Sequence, residues 1–176
     1  TKDYGWTPLY AASSSGHLEV VKFLCDHGAD TDIHTVTKNG RTPLYVASSS
    51  GHLEVVKFLC DHGADTDIHT PTNDGWTPLH AASNPGHLEV VKFLYDHGAD
   101  TDIHTLTKNG WTPLCAASSS GYLEVVKFLY KRKADVHTAT EDGYTPIFVA
   151  SSNGHLESQR MAGTHYVRLH LRAIWK

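Results

Sequence analysis

The sequence predicts an all-α solenoid, a row of stacked helix pairs, and three observations predict it. Residues 16–35, opening Gly16-His17-Leu18-Glu19-Val20-Val21-Lys22-Phe23-Leu24, recur letter for letter at 51–70. They recur at 86–105 with one change (Tyr95), more loosely from Gly121, and as the remnant Gly154-His155-Leu156-Glu157. Upstream of each copy stands Thr7-Pro8-Leu9, Thr42-Pro43-Leu44, Thr77-Pro78-Leu79, Thr112-Pro113-Leu114 or Thr145-Pro146-Ile147, in steps of 35, 35, 35 and 33 residues. Within each unit, two short stretches of helical periodicity are separated by glycine. A period in this range marks stacked repeats, because one unit cannot bury its apolar face alone.

The first unit shows why each element forms. The Thr7 hydroxyl caps a helix, and Pro8 fills its first turn, where a missing N–H costs nothing. Leu9, Ala11 and Ala12 then give a short helix with a small-residue face that admits a close neighbour. Gly16 stops it in a left-handed turn. A second helix runs from about Leu18 to Asp26 and ends the same way at Gly28. Leu18, Val21, Leu24 and Cys25 fall at helical spacing, and Val20 and Phe23 widen the stripe. A stripe that wide must touch both its partner helix and the next repeat. Glu19 and Lys22 pair across the polar face, an exposed contact worth ~0.2–0.5 kcal/mol.

The connector after Ala29-Asp30 is extended and ends in Asn39-Gly40, Asp74-Gly75, Asn109-Gly110 or Asp142-Gly143, dipeptides that favour a tight hairpin turn. The first three connectors are two residues longer than the fourth, Ala134-Asp135-Val136-His137. The extra pair is expected near Thr31-Asp32, Thr66-Asp67 and Thr101-Asp102, as a bulge at each fingertip.

Three separated motifs recurring in order, T-P-L, G-H-L-E-V-V-x-F-L and G-A-D, resemble the ankyrin repeat family over roughly residues 2–157. The resemblance implies an ankyrin-repeat α-solenoid of helix–turn–helix units with projecting β-hairpin loops. Its array would span 1–157, with repeats at about 5–39, 40–74, 75–109 and 110–142 and a partial one at 143–157. A divergent basic tail, 158–176, follows. The family generally binds proteins through hairpin tips and the exposed side of the first helices, and catalyses nothing. Its motif histidine, which bonds the neighbouring threonine and backbone, is kept only at His80. Tyr10, Tyr45, Cys115 and Phe148 replace it.

Carried over by motif, the residues facing that concave groove are Trp6, Arg41, Trp76, Trp111 and Tyr144. Four aromatics and one arginine at steps of ~10 Å make a ladder of side-chain types enriched at binding hot spots. Rings that simply stiffen neighbouring hairpins are the competing reading. The first helices end in Ser14-Ser15, Ser49-Ser50, Asn84-Pro85 and Ser119-Ser120, a shallow floor for a bound segment or else solvated helix ends. The hairpin-tip groups Lys38, Asn39, Asn73, Asp74, Lys108, Asn109, Glu141 and Asp142 complete the candidates. A structural spacer inside a longer repeat protein is the alternative function, favoured by the near-identity of the repeats.

Charge and chemistry narrow the classes further. The net charge is −4, but four of the fifteen basic residues and none of the nineteen acids lie in 158–176, leaving the array at −8. An acidic array argues against a nucleic-acid groove, where phosphate neutralisation dominates affinity. No apolar run approaches the ~18 residues of a membrane span. Cys25, Cys60 and Cys115 read as buried, reduced thiols, which suits the cytoplasm or the nucleus. The fourteen histidines fall mostly in columns (His17, His52, His87; His27, His62, His97; His34, His69, His104, His137) one repeat apart. At ~10 Å, no column can chelate one ion whose ligands sit at ~2 Å, so no metal or other cofactor is expected. Asp30, Asp32 and His34 are the one set within a repeat with donors for a weak site. No phosphate-binding loop, nucleophile elbow or H-E-x-x-H occurs, so no enzyme is expected.

Repeat one opens directly at a hairpin (Thr1-Lys2-Asp3-Tyr4) and carries interior-type apolar residues, which leaves uncapped ends open to self-association or to further repeats. At the other end, Ser158–Ala162 would complete a weak second helix, and 167–175 alternate apolar and basic residues like a strand.

Overall fold

The computed structural model describes residues 5–153, so Thr1–Tyr4, the weak helix at Ser158–Ala162 and the strand-like 167–175 lie outside the described residues. Nine α-helices are found there: α1 (Pro8–Ser14), α2 (Leu18–Asp26), α3 (Pro43–Ser50), α4 (Leu53–Asp61), α5 (Pro78–Ser83), α6 (Leu88–Leu94), α7 (Pro113–Ser120), α8 (Leu123–Lys131) and α9 (Pro146–Ser152). The odd helices up to α7 and the even ones pair as antiparallel units, and α9 opens a fifth. Each first helix packs on the first helix of the next repeat, and the second helices touch less extensively. The fold is the expected all-α solenoid.

Local chemistry explains the helix bounds. Thr7, Thr42, Thr112 and Thr145 each accept the backbone N–H three residues on through the side-chain oxygen, with proline next in line. The core repeats like the sequence: Leu9, Leu44, Leu79 and Leu114 are fully buried, as are Val21, Val56 and Val91. The position that widens the stripe behaves unlike the expectation. Val55, Val90 and Val125 are 1–2% exposed, but Val20 is 47% exposed. The repeat in front therefore covers this position, not the one behind.

Glycine is needed at the first-helix stops for two reasons. Gly51 sits at φ +78°, and a Cβ there would come within 2.5 Å of the His87 ring. The His52 and His87 imidazoles lie across Gly16 and Gly51 so that Nε2–H donates to Ser14 O (3.1 Å) and Ser49 O (3.2 Å) of the preceding repeat. At the second-helix stops the space is open, and only the backbone angle selects glycine: Gly28, Gly63 and Gly98 lie at φ +96°, +106° and +117°. In the fourth unit Lys133 holds that place at φ +72°, the one described non-glycine residue at positive φ.

The long connectors correct the fingertip expectation. Their extra pair lies in a 3-10 turn just past the helix-ending glycine, over Ala29–Asp32 and Ala64–His69, and over Thr101–His104 a little further on. The short fourth connector forms no such turn. The hairpins also differ from the expected β-hairpin form, since no strand occurs among the described residues. In the loop at 37–41, Gly40 N–H donates to Thr37 O (2.8 Å) and Thr37 N–H to Arg41 O (3.0 Å). Gly40 is left-handed (φ +76°) but Asn39 is not, so the turn is the longer kind closed by a left-handed glycine, not a two-residue one.

Three stability outcomes follow from these angles. Gly63→Ala should cost about 1–2 kcal/mol for its left-handed backbone alone. Gly51→Ala should cost about 1–3 kcal/mol more through overpacking against the imidazole, an excess that His87→Ala removes. Lys133→Gly should stabilise by about 1 kcal/mol. Urea unfolding of the set measures all of these.

Candidate functional site

A buried threonine builds each fingertip. Thr37, Thr72, Thr107 and Thr140 are 5–7% exposed and accept the backbone N–H of Arg41 (3.1 Å), Trp76 (3.1 Å), Trp111 (3.0 Å) and Tyr144 (3.2 Å) through Oγ1. They pin the backbone of four of the five ladder residues. The sequence reading missed them, although a threonine three residues before each hairpin glycine was the available signal. Adjacent fingertips are tied by Asn73 N–H to Asn39 O (3.0 Å), Lys108 N–H to Asp74 O (2.9 Å) and Glu141 N–H to Asn109 O (3.0 Å). The side chains of Lys38, Asn39, Asn73, Asp74, Lys108, Asn109, Glu141 and Asp142 are all exposed.

Four of the ladder side chains contact a residue of their own first helix. Trp6 meets Tyr10 (ring centroids 5.3 Å), Trp76 meets His80 edge-on (5.7 Å), and Tyr144 stacks on Phe148 (4.7 Å, 10°). The Arg41 guanidinium lies over the Tyr45 ring at 5.7 Å. Trp111 has Cys115 at the corresponding place. The residues standing in for the motif histidine are thus the backing of the ladder, a role that sequence reasoning did not assign them. One side of each rung is held while outer surface remains: Trp6 is 54% and Tyr144 42% exposed, and Trp76 and Trp111 are partly exposed.

The other candidates do not join this edge. In the interior repeats α3, α5 and α7 are buried until their last residues, so the first helices offer no continuous floor. Ser14, Ser15, Ser49, Ser50, Asn84, Pro85, Ser119 and Ser120 lie at the far helix ends, ~11 Å along the axis from the capping threonines. Several are engaged between repeats: besides the histidine bonds to Ser14 and Ser49, Ser120 Oγ donates to Asn84 Oδ1 (3.0 Å) and Asn153 Nδ2 to Ser119 O (2.8 Å).

The histidine columns also have local work. His27, His62 and His97 donate Nδ1–H to the Phe23, Phe58 and Phe93 carbonyls (2.7 Å each) and stack on those rings, closing the second helices. His34 Nδ1–H donates to Asp67 Oδ2 (2.9 Å) and His69 to Asp102 Oδ2 (3.1 Å), one repeat on. The 3-10 turns of the second and third repeats carry these aspartates. Burial pushes the Asp102 carboxyl above its usual range, and the His69 bond opposes that. Asp30, Asp32 and His34 therefore do not converge, because His34 turns to the next repeat. No three potential metal ligands cluster among the described residues. The three thiols are free and buried, and burial drives Cys60 up to about 12.

A helical solenoid that carries a row of pinned, half-supported aromatic side chains along one edge is a recognition type of scaffold, not a chemical one. The matches agree: a family model described as ankyrin repeats (three copies) fits residues 1–70, 31–105, 66–140 and 100–161. This chain belongs to the ankyrin repeat family, whose repeats generally serve in protein–protein interaction and are typically non-catalytic. It is also similar to glycerophosphocholine phosphodiesterase GDE1 of Eremothecium gossypii, 47% identical over 32 residues. That match covers 18% of this chain and 2% of the relative, about one repeat's length, so nothing of the enzyme's chemistry carries over.

His80 is the buried titratable group at this edge. Its Nε2–H donates to Trp111 O (3.0 Å), so Nδ1 is the acceptor and faces Thr77 Oγ1 (2.9 Å). Burial pulls it down from 6.5 to about 4, so the folded protein holds it neutral. The unfolded chain protonates near 6.5 and the folded one only near 4, so stability is full above that window and falls as pH drops through it. The loss should total about 3 kcal/mol. Urea unfolding between pH 7.5 and 4 should show that extra loss in the wild type relative to His80→Cys, the residue that the next repeat carries.

Proposed function

We propose that the array, assigned to residues 1–157 with the basic segment 158–176 as an appendage, binds a protein partner along the hairpin edge. Trp6, Arg41, Trp76, Trp111 and Tyr144 supply the contact, and the fingertip groups form its polar rim. The single observation carrying this reading is the exposure of the rungs. Large aromatics are left half open to solvent although the backbone beneath them is fixed by a buried threonine and a ring or guanidinium contact. Aromatic and arginine side chains dominate interface energies, and rings already held on one face cost little entropy on binding. The small residues at the first-helix ends form a second, more distant strip for a partner wide enough to reach both.

No reacting group is drawn together at this edge, so a non-catalytic role fits. The −8 charge of the array disfavours nucleic acid. Among the described residues no helix is long and apolar enough to cross a membrane. Three buried, unpaired thiols fit a reducing compartment, the cytoplasm or nucleus. The second reading, a spacer within a longer repeat protein, draws on the near-identity of repeats one to three, since a surface tuned to one partner would differentiate them.

Affinity capture with mass spectrometry, comparing wild type with Trp76→Ala/Trp111→Ala, separates the two. Recognition at this edge predicts that the variant keeps its helical circular dichroism but loses wild-type partners by roughly tenfold or more, as at hot spots. Unchanged capture with a lowered melting temperature would leave the spacer.

A further inference from the structure

The charges of the hairpin edge alternate in sign from repeat to repeat. The fingertip at 36–41 carries Lys38 and Arg41, and the one at 71–76 carries Asp74. The third, 106–111, has Lys108, and the fourth, 139–144, has Glu141 and Asp142, so the row reads +2, −1, +1 and −2. All six side chains are exposed, and among the described residues none of them forms a salt bridge. By contrast, Lys22, Lys57, Lys92 and Lys127 each pair with a glutamate on their own helix. Adjacent fingertips stand ~10 Å apart, about one Debye length, so the alternation does little for the stack itself. The differences between repeats also gather here. Residues 51–70 and 86–105 differ at one position, but 36–50 and 71–85 differ at eight, four of them within 36–41. Repeats that are otherwise near copies are told apart at their edge.

We infer that the edge selects an extended protein segment whose charged side chains alternate acid, base, acid, base at about every third residue. This partner class rests on the hairpin-edge reading, whose rungs it uses. Backbone bonds between neighbouring fingertips, such as Asn73 N–H to Asn39 O, hold the charges in a fixed row. Three steps of ~10 Å carry that row over ~30 Å. An extended chain rises ~3.3 Å per residue, so about three residues separate the charges facing adjacent fingertips, and about nine span the row. Such a segment sets an acid at Lys38 and Arg41, a base at Asp74, an acid at Lys108 and a base at Glu141 and Asp142. It meets an opposite charge at every step, and slipped by one step it meets like charges, which are costly. Charge thus fixes the register. Trp76, Trp111 and the exposed Val36 (48%) and Leu106 (49%) offer apolar surface between the charges. A helix suits the edge less, because α3, α5 and α7 are buried behind the rungs and leave no floor for its ~10–12 Å diameter.

Selection from a displayed library of random peptides of about twelve residues, long enough for the row, tests this on the purified chain. Enriched peptides are expected to alternate acid and base at three-residue spacing. They should bind Trp76→Ala/Trp111→Ala roughly tenfold or more weakly, as at hot spots. Lys38→Glu/Arg41→Glu, which reverses the first fingertip at exposed positions, should weaken the same peptides roughly tenfold while the helical circular dichroism is kept. Selection repeated on that variant should enrich a base in place of the acid facing the first fingertip, giving base, base, acid, base. Tryptophan-dependent peptides without the alternation, or a pattern that the reversal leaves unchanged, would overturn this partner class and leave the hairpin edge standing. Failure to enrich any peptide sensitive to Trp76→Ala/Trp111→Ala would overturn both.

Discussion

Val20 and Val55 are the same residue at the same turn of the same helix sequence, yet one is half exposed and the other is dry. Only the presence of a repeat in front distinguishes them. Full burial of a valine is worth about 1.5–3 kcal/mol, so a large part of each unit's stability belongs to the junction and not to the unit. The helices are six to nine residues long, too short to persist alone in water. Everything else in the molecule depends on that shared surface. This is why a unit of this kind is found in rows.

The polar contacts follow the same rule. His52 and His87 cross a junction to a backbone carbonyl, His34 and His69 cross one to a carboxylate, and His80 crosses one to Trp111 O. Each bond has one partner on the back of a repeat and the other on the front of the next. A change on one side therefore demands a change on the other. Where the fourth connector is two residues shorter, the crossing bond is lost. Asp135 instead accepts His137 N–H (2.9 Å) and Thr138 Oγ1–H (2.7 Å) from its own chain, which hold its carboxyl below the usual range. The near-identity of the first three repeats thus has a physical source besides any partner, because like fronts fit like backs.

What the sequence made legible was local. Threonine-proline starts, the glycine at Gly16 and Gly28, and the 3.6-residue period placed α1 and α2 at their observed bounds, because capping and periodicity act within a few residues. Contacts between residues 31 to 38 apart were not legible as pairings, so the sequence did not show that His34, His52, His69 and His87 bond across a junction while His27, His62 and His97 close their own helices. The two-residue excess was visible, but not that it would lie in a 3-10 turn after the second helix instead of at the fingertip. Lys133 was hidden for another reason: a left-handed residue without glycine leaves no letter to read. At the candidate site the rungs were legible from the motif, but their backing by Tyr10, Tyr45 and Phe148 was not.

Burial also limits where such an array can offer a surface. Along α3, α5 and α7 the side chains are spent on neighbours up to the last residues, and helix-end side chains such as Ser120 and Asn153 also bond across a junction, which leaves the outer edge of the fingertips as the surface most open to change. The rungs lie where both demands meet. Their backbone is fixed by Thr37, Thr72, Thr107 and Thr140, while their outer faces take no part in stacking. Position 41 illustrates the freedom this gives. Arginine there replaces the tryptophan of its neighbours, lies over the Tyr45 ring, and leaves the fingertip hydrogen bonds as they are in the tryptophan repeats. A scaffold whose junctions tolerate little change can still alter its edge one rung at a time, because the fingertip bonds between repeats are made by backbone groups that any rung side chain leaves in place.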